Sequence, residues 1–101
     1  MSAVACIAKV PAVPGKRAEL AAALQLALEN VEQEPGTRYY IIHEDRGDDD
    51  VLWMYELYEG EEHLEAHQAA SWYAELGPAI RPFLDGRPEL TFVTPIGGKG
   101  F

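Results

Sequence analysis

The chain has 101 residues, which suits a single domain over 1–101 and leaves no room for a second. With 48% hydrophobic and 25% charged residues, it is composed like an ordinary globular protein and not like a disordered segment. Seventeen acidic residues against eight basic ones give a net charge of −9. That surface repels phosphate backbones and anionic lipid, so neither nucleic acid nor a membrane is expected as a partner.

Ala3 to Val10 reads as a strand ended by Pro11, with Val4, Cys6, Ala8 and Val10 on one face and Ala3, Ala5, Ile7 and Lys9 on the other. Pro14-Gly15-Lys16 opens a helical segment in which Leu20, Leu24, Leu28 and Val31 recur at helical spacing beside Ala27. Alanine and leucine dominate this segment, and both favour a helix. Pro35-Gly36 stops it. Thr37 to Asp45 is a second strand, with Tyr39, Ile41 and His43 on one face and Arg38, Tyr40, Ile42 and Glu44 on the other. Arg46 to Asp50 is a polar turn of hairpin length. Val51 to Glu59 is a third strand whose two faces are both largely apolar, so each needs cover. Gly60 to Ala70 is a further helix, and Ser71 to Leu84 continues as another, broken near Gly77-Pro78. Arg87 to Thr94 is a last strand, and residues 95–101 form a flexible tail. The order β-α-β-β-α-α-β predicts an α+β, ferredoxin-like split βαβ fold: a four-stranded antiparallel sheet with helices on one face. The second sheet face also carries apolar side chains. A second copy of the chain would cover it, giving a homodimer through the sheet face.

Glu56 stands between Met54 and Tyr58 on one strand face. A buried carboxylate must be hydrogen-bonded or neutralised. It is therefore either a general acid/base, or an orienter of a histidine, in a pocket, or a carboxylate paired with an arginine or a backbone donor. Tyr58, two residues on, shares its face and could contact a substrate. His67 is spaced from Leu64 so that it turns toward the sheet. Imidazole titrates near neutral pH, so His67 is either a proton carrier in a pocket or a satisfied core histidine. Trp72 and Tyr73 either wall a planar ligand or fill the core. His43 could face a pocket or the dimer interface.

His63 and His67 are four residues apart, a spacing that can bind metal, but the intervening glutamate is misplaced for a His-Glu-x-x-His motif. No metal site is expected. Asp48-Asp49-Asp50 is too short for a calcium loop and reads as a solvated turn, and Cys6 reads as a small buried hydrophobe. There is no Gly-x-Ser-x-Gly elbow, dinucleotide fingerprint or phosphate loop. No apolar run approaches the roughly 20 residues that span a bilayer. The N-terminus lacks the layout of a signal peptide, so a cytoplasmic protein is expected.

Four pieces of the chain, in order and at matching spacing, resemble the antibiotic biosynthesis monooxygenase (ABM) domain family. They are Pro14-Gly15-Lys16, Glu34-Pro35-Gly36-Thr37, Tyr55-Glu56-Leu57-Tyr58-Glu59, and Leu64 through Tyr73, within a likeness that spans residues 3 to 95. The resemblance implies a dimeric ferredoxin-like α+β barrel with pockets between sheet and helices. It also implies an enzyme: a monooxygenase that oxidises a quinol or polycyclic phenol with dioxygen as co-substrate, without metal, flavin or other cofactor. An electron-rich deprotonated substrate can itself reduce oxygen, and the protein supplies a proton acceptor, a dry cavity and orientation. On that scheme His67 accepts the phenolic proton and Glu56 orients or tunes it. Trp72 and Tyr73 wall the ring, and His43 adds a polar contact.

The haem-degrading branch is disfavoured, because the first strand has no asparagine and Gly77 stands near the place of that branch's histidine. The chain looks closest to the small quinol-monooxygenase-like members and to the isomerases of phosphorylated autoinducer sugars. Fold alone does not settle activity. A proton-transfer isomerase using Glu56 and His67, and a non-catalytic ligand-binding domain, stand as alternatives.

Overall fold

The computed structural model describes residues 2–100. Strand β1 (Val4–Pro11) leads into two short helices, α1 (Arg17–Ala23) and α2 (Gln25–Val31). Strands β2 (Thr37–Glu44) and β3 (Val51–Tyr58) follow, then α3 (Glu61–Ala69), α4 (Ser71–Ile80), a single 3-10 turn at Arg81–Phe83, and β4 (Glu89–Val93). The sheet order is β2-β3-β1-β4, antiparallel throughout. This is the ferredoxin-like α+β arrangement that the element order predicts. The strand read as Arg87–Thr94 is shorter than expected, and Pro11 closes β1 from inside it. Of the domain read over 1–101, Met1 and Phe101 lie outside the described residues, as does the last residue of the tail read over 95–101. No described helix is long and apolar enough to cross a membrane.

The helical segment after Pro14 is not one helix. It breaks at Leu24, where the Ala27 and Leu28 amides both donate to the Leu24 carbonyl, at 3.0 and 3.3 Å. Such a tightened turn re-aims the next helix. It keeps Leu20, Leu24, Ala27 and Val31 buried and leaves Leu28 only half-buried. The break expected at Gly77-Pro78 does not occur either. Pro78 sits inside α4, close to its end, where the amide it lacks costs the helix only the bond to Ala74.

One core joins Ala8, Val10, Leu52 and Met54 from the sheet to Leu20, Leu24 and Ile80 from the helices. The register places Cys6, Ala8 and Val10 opposite Glu56, Met54 and Leu52, so this is the helix-covered face. β4 pairs only with β1, and its Leu90 and Phe92 lie across from Ala8 and Cys6 on that same face. The opposite face carries Ile7, Tyr39, Ile41 and Val93, all exposed.

The hairpin turn is built by its own acids. Asp45 Oδ1 accepts the amides of Gly47 and Asp48, its Oδ2 accepts Trp53 Nε1 at 2.7 Å, and Asp50 Oδ1 accepts the Gly15 amide. These bonds hold the chain reversal and leave the acidic run a structural role. Gly36 has a tighter role than ending a helix. A Cβ there would overlap the His63 side chain, so its absence lets α3 close against the start of β2.

Candidate active site

α3 presents Leu64 and His67 to the sheet at i and i+3, and both are buried. The His67 ring is only 2% exposed and is packed by four aromatic rings. Tyr58 and Tyr73 stand 5.1 Å from it, Trp72 5.2 Å and Tyr40 5.4 Å, the Trp72 and Tyr73 contacts being edge-on. These contacts fix the ring plane.

Hydrogen bonding then fixes the tautomer. Glu34, in the turn after α2, places Oε1 at 2.8 Å from His67 Nδ1. The same oxygen accepts Thr37 Oγ1 at 2.8 Å, and Oε2 accepts Trp72 Nε1 at 3.0 Å. A carboxylate on Nδ1 holds the proton there and leaves a lone pair on Nε2. Among the described residues Nε2 has no hydrogen-bond partner. Yet among the described residues no buried side-chain nitrogen or oxygen lacks one, so Nε2 borders open space.

That space is a cavity of about 420 Å³ between the sheet and α3–α4. Its walls are mainly apolar: Ala8, Val10 and Met54 from the sheet, Leu24, Leu64, Leu76 and Ile80 from the helices. Leu90 and Phe92, each 47% exposed, stand where β4 has no helix over it. Tyr40, Glu56, Gln68, Tyr73 and Arg81 supply the other polar groups beside His67. The volume lies in the range that takes a small organic ligand.

Glu56 is 9% exposed and lines this cavity, and its Oε1 accepts the Tyr58 hydroxyl at 2.5 Å. Burial pushes its carboxyl above the usual carboxylate range, and Glu34 adds to the rise, while the Tyr58 hydrogen bond and His67 pull it back. Burial raises the Tyr58, Tyr40 and Tyr73 hydroxyls in turn, so these phenols stay protonated. Cys6 is fully buried, and burial lifts its thiol to about 12, as expected of an inert core cysteine.

The raised Glu56 has a measurable consequence. A carboxyl raised on folding binds more protons folded than unfolded. The stability it contributes is full below the ordinary carboxylate range and is lost as pH rises from there through its folded value. Glu56→Gln keeps an acceptor for Tyr58 and carries no charge. It is expected to melt a few degrees above the native chain at neutral pH and to lose that advantage in acid, as a series of melting curves would show.

The structure brings His67, Glu56 and Tyr73 to one cavity and separates the other residues that the sequence nominates. Trp72 lies behind His67 and does not line the cavity. Tyr58 lies behind Glu56. His43 is exposed on the far sheet face, its Nδ1 at 3.3 Å from the Trp53 carbonyl, so of its two expected places, the pocket or the dimer interface, it is not at the pocket but on the open face. The role of orienting His67, expected of Glu56, belongs to Glu34. Tyr40 lines the cavity too, although its sequence context marks only the strand face it occupies. Among the described residues no group of three or more His, Cys, Asp or Glu side chains could hold a metal, and His63 turns to Glu62 and Gly36.

The sequence model of the antibiotic biosynthesis monooxygenase family matches residues 3–76. The chain belongs to this family. Among solved structures, an assigned family member from Caulobacter crescentus shares 24% identity at a TM-score of 0.87, with 95% of this chain and 92% of that one covered. A second assigned member, from Chloroflexus aurantiacus, shares 27% identity at a TM-score of 0.80, with 98% of each chain covered. A Mycobacterium tuberculosis protein shares 25% identity at a TM-score of 0.86, covering 98% of this chain and all of its own. Among curated proteins none matches. Family membership covers β1 through most of α4, and therefore His67, Glu34, Glu56 and Tyr73, while Arg81, Leu90 and Phe92 lie beyond the matched span.

Proposed function

We propose that this ABM-family chain is a monooxygenase that oxidises a quinol or polycyclic phenol with dioxygen, without metal or flavin. The observation that carries the reading is the His67 imidazole, locked at Nδ1 by Glu34 and open at Nε2 to an apolar cavity that Glu56 also lines. A phenol seated there donates its proton to Nε2. The resulting phenolate is electron-rich enough to pass an electron to dioxygen, and the radical pair joins at a ring carbon as a peroxide. Collapse leaves one oxygen atom in a ring carbonyl and releases the other as water, which takes up the phenolic proton and the hydrogen of the oxidised carbon. A carboxyl held neutral, as Glu56 is biased to be, can deliver a proton to the departing oxygen and be restored by the hydrogen that leaves the oxidised carbon, so that it relays that hydrogen. The apolar walls surround the reactive intermediates with few polar groups.

Oxygen consumption with a panel of hydroquinones and anthrones tests this. Uptake well above autoxidation, in proportion to protein, is expected. Background uptake across the panel would remove the reading. The same Glu56 and His67 pair also suits a proton-transfer isomerase, and deuterium incorporation into a hydroxy-ketone without oxygen uptake would favour that reading instead.

The partner we propose is a second copy, seated on the open sheet face over Ile7, Tyr39, Ile41 and Val93. Sedimentation should give a dimer, and Ile41→Glu should return it to a monomer. A native chain that sediments as a monomer at micromolar concentration would rule the interface out.

A further inference from the structure

The cavity has a second polar end. Arg81 follows the last residue of α4 and is the only lysine or arginine among the described residues that lines the cavity. Among those residues it makes no ion pair, whereas Lys16 pairs with Glu19 and Arg17 with Glu44. Lys9, Arg38, Arg46, Arg87 and Lys99 likewise make none among the described residues, so what sets Arg81 apart is its place on the cavity. A cation at a helix C-terminus is favoured by the helix dipole, which accounts for a charge at this position. It does not account for the only lysine or arginine, an exposed one, among the residues lining a largely apolar cavity. The one carboxylic acid lining the cavity, Glu56, is biased toward its neutral form, so the guanidinium meets no fixed negative charge within the walls.

Helix geometry sets the spacing of the two ends. Tyr73, which packs on His67, lies near the start of α4, and Arg81 lies just past its end. Eight residues at helical rise separate them by about 12 Å along the helix axis. Between them lie the apolar side chains of Ala8, Val10, Met54 and Leu76. An apolar slot with a base at one end and an exposed arginine at the other matches an aromatic ring system with a hydroxyl at one end and an anion at the other.

We propose that this site takes a planar hydroxy-aromatic acid, held at its hydroxyl by His67 and at its carboxylate by Arg81. The proposal rests on the oxygenase reading for the reaction, but it is a statement about recognition. A planar guanidinium binds a carboxylate through two parallel hydrogen bonds, which a neutral amide cannot reproduce.

The test therefore reads binding and not turnover. The probes are a hydroxynaphthoic acid, with its two groups on opposite rings, and the same hydroxynaphthalene carrying a carboxamide in place of the carboxylate. Calorimetric titration of the full chain should show the acid binding about tenfold more tightly than the amide. Arg81→Gln should erase that preference by weakening the acid far more than the amide. Arg81→Lys should keep part of the preference, and Arg81→Glu should reverse it. His67→Gln should weaken both probes alike. Equal affinity for acid and amide, a preference that survives in Arg81→Gln, or no binding of either probe would each overturn the proposal. A preference that depends on Arg81 in a chain that never consumes oxygen would remove the oxygenase reading and leave this one standing. Oxygen uptake with no such preference would do the reverse.

Discussion

His67→Ala is expected to lower protein-dependent oxygen uptake by about 10²–10⁴-fold, the usual contribution of a positioned general base. The loss follows from the arrangement at Nε2, the lone pair that Glu34 holds ready on the cavity side. Tyr40 and Tyr73 are held protonated by burial, and Glu56 is biased toward its neutral form. The alanine variant also leaves a void among Tyr40, Tyr58, Trp72 and Tyr73, and it strips Glu34 of one partner. Some loss of stability must therefore be separated from the loss of chemistry. Two comparisons do this. His67→Gln fills most of the void and can still donate to Glu34, but it cannot accept the phenolic proton, so it should fold well and stay inactive. Imidazole added to the alanine variant should restore part of the rate, because the void is shaped for that ring. Uptake at the native rate in either variant would take His67 out of the chemistry, and oxidation would then have to proceed in the cavity without a protein base.

The sequence carries most of the architecture because alternation and helical spacing are local signals. Val51–Tyr58 reads directly as a strand, and Leu20, Leu24, Leu28 and Val31 with Ala27 beside them read as one helix face, of which all but Leu28 are buried. The same signals do not say which sheet face receives the helices. In β3 both faces are apolar, so His43 and Tyr40 are equal candidates for the pocket until the register is known. Tyr40 lies opposite Glu56 on the covered face, and His43 lies opposite Trp53 on the open one. Two helix features are invisible for a different reason. Leu24 is a good helix former at the point where α1 gives way to α2, and Pro78 is a helix breaker that α4 tolerates close to its end. Glu34 is the residue most easily overlooked, because it lies 33 residues from the histidine that it holds. One signal points to it. A carboxylate just past the C-terminus of a helix sits where the dipole disfavours negative charge, so such a residue calls for another reason to be there. The reason is three donors, contributed by Thr37, His67 and Trp72.

Those three donors make Glu34 the second position where a large effect is expected. Glu34→Ala leaves the Thr37 hydroxyl, the His67 Nδ1–H and the Trp72 Nε1–H without an acceptor. Buried donors left unpaired cost about 1–3 kcal/mol each. Thr37 can turn to solvent, so a net loss on the order of 3–5 kcal/mol is expected. In a domain of this size that corresponds to a fall in Tm on the order of 15–30 °C. Glu34→Gln is the more informative variant. A glutamine presents one acceptor and one donor where the carboxylate presents two acceptors, so it cannot serve all three partners. If its carbonyl faces His67 and Thr37, its amide nitrogen opposes the Trp72 N–H. If it flips to serve Trp72, the amide donates to His67 Nδ1, and the imidazole proton moves to Nε2. The flipped state disables the base while the ring stays in place. Nitrogen NMR of the imidazole separates the two states, since it reports which ring nitrogen carries the proton. A folded Glu34→Gln with the proton on Nε2 and oxygen uptake reduced as far as in His67→Ala would establish that Glu34 acts by setting the tautomer. A folded variant with the proton on Nε2 and native uptake would show that the lone pair on Nε2 is not what the reaction uses.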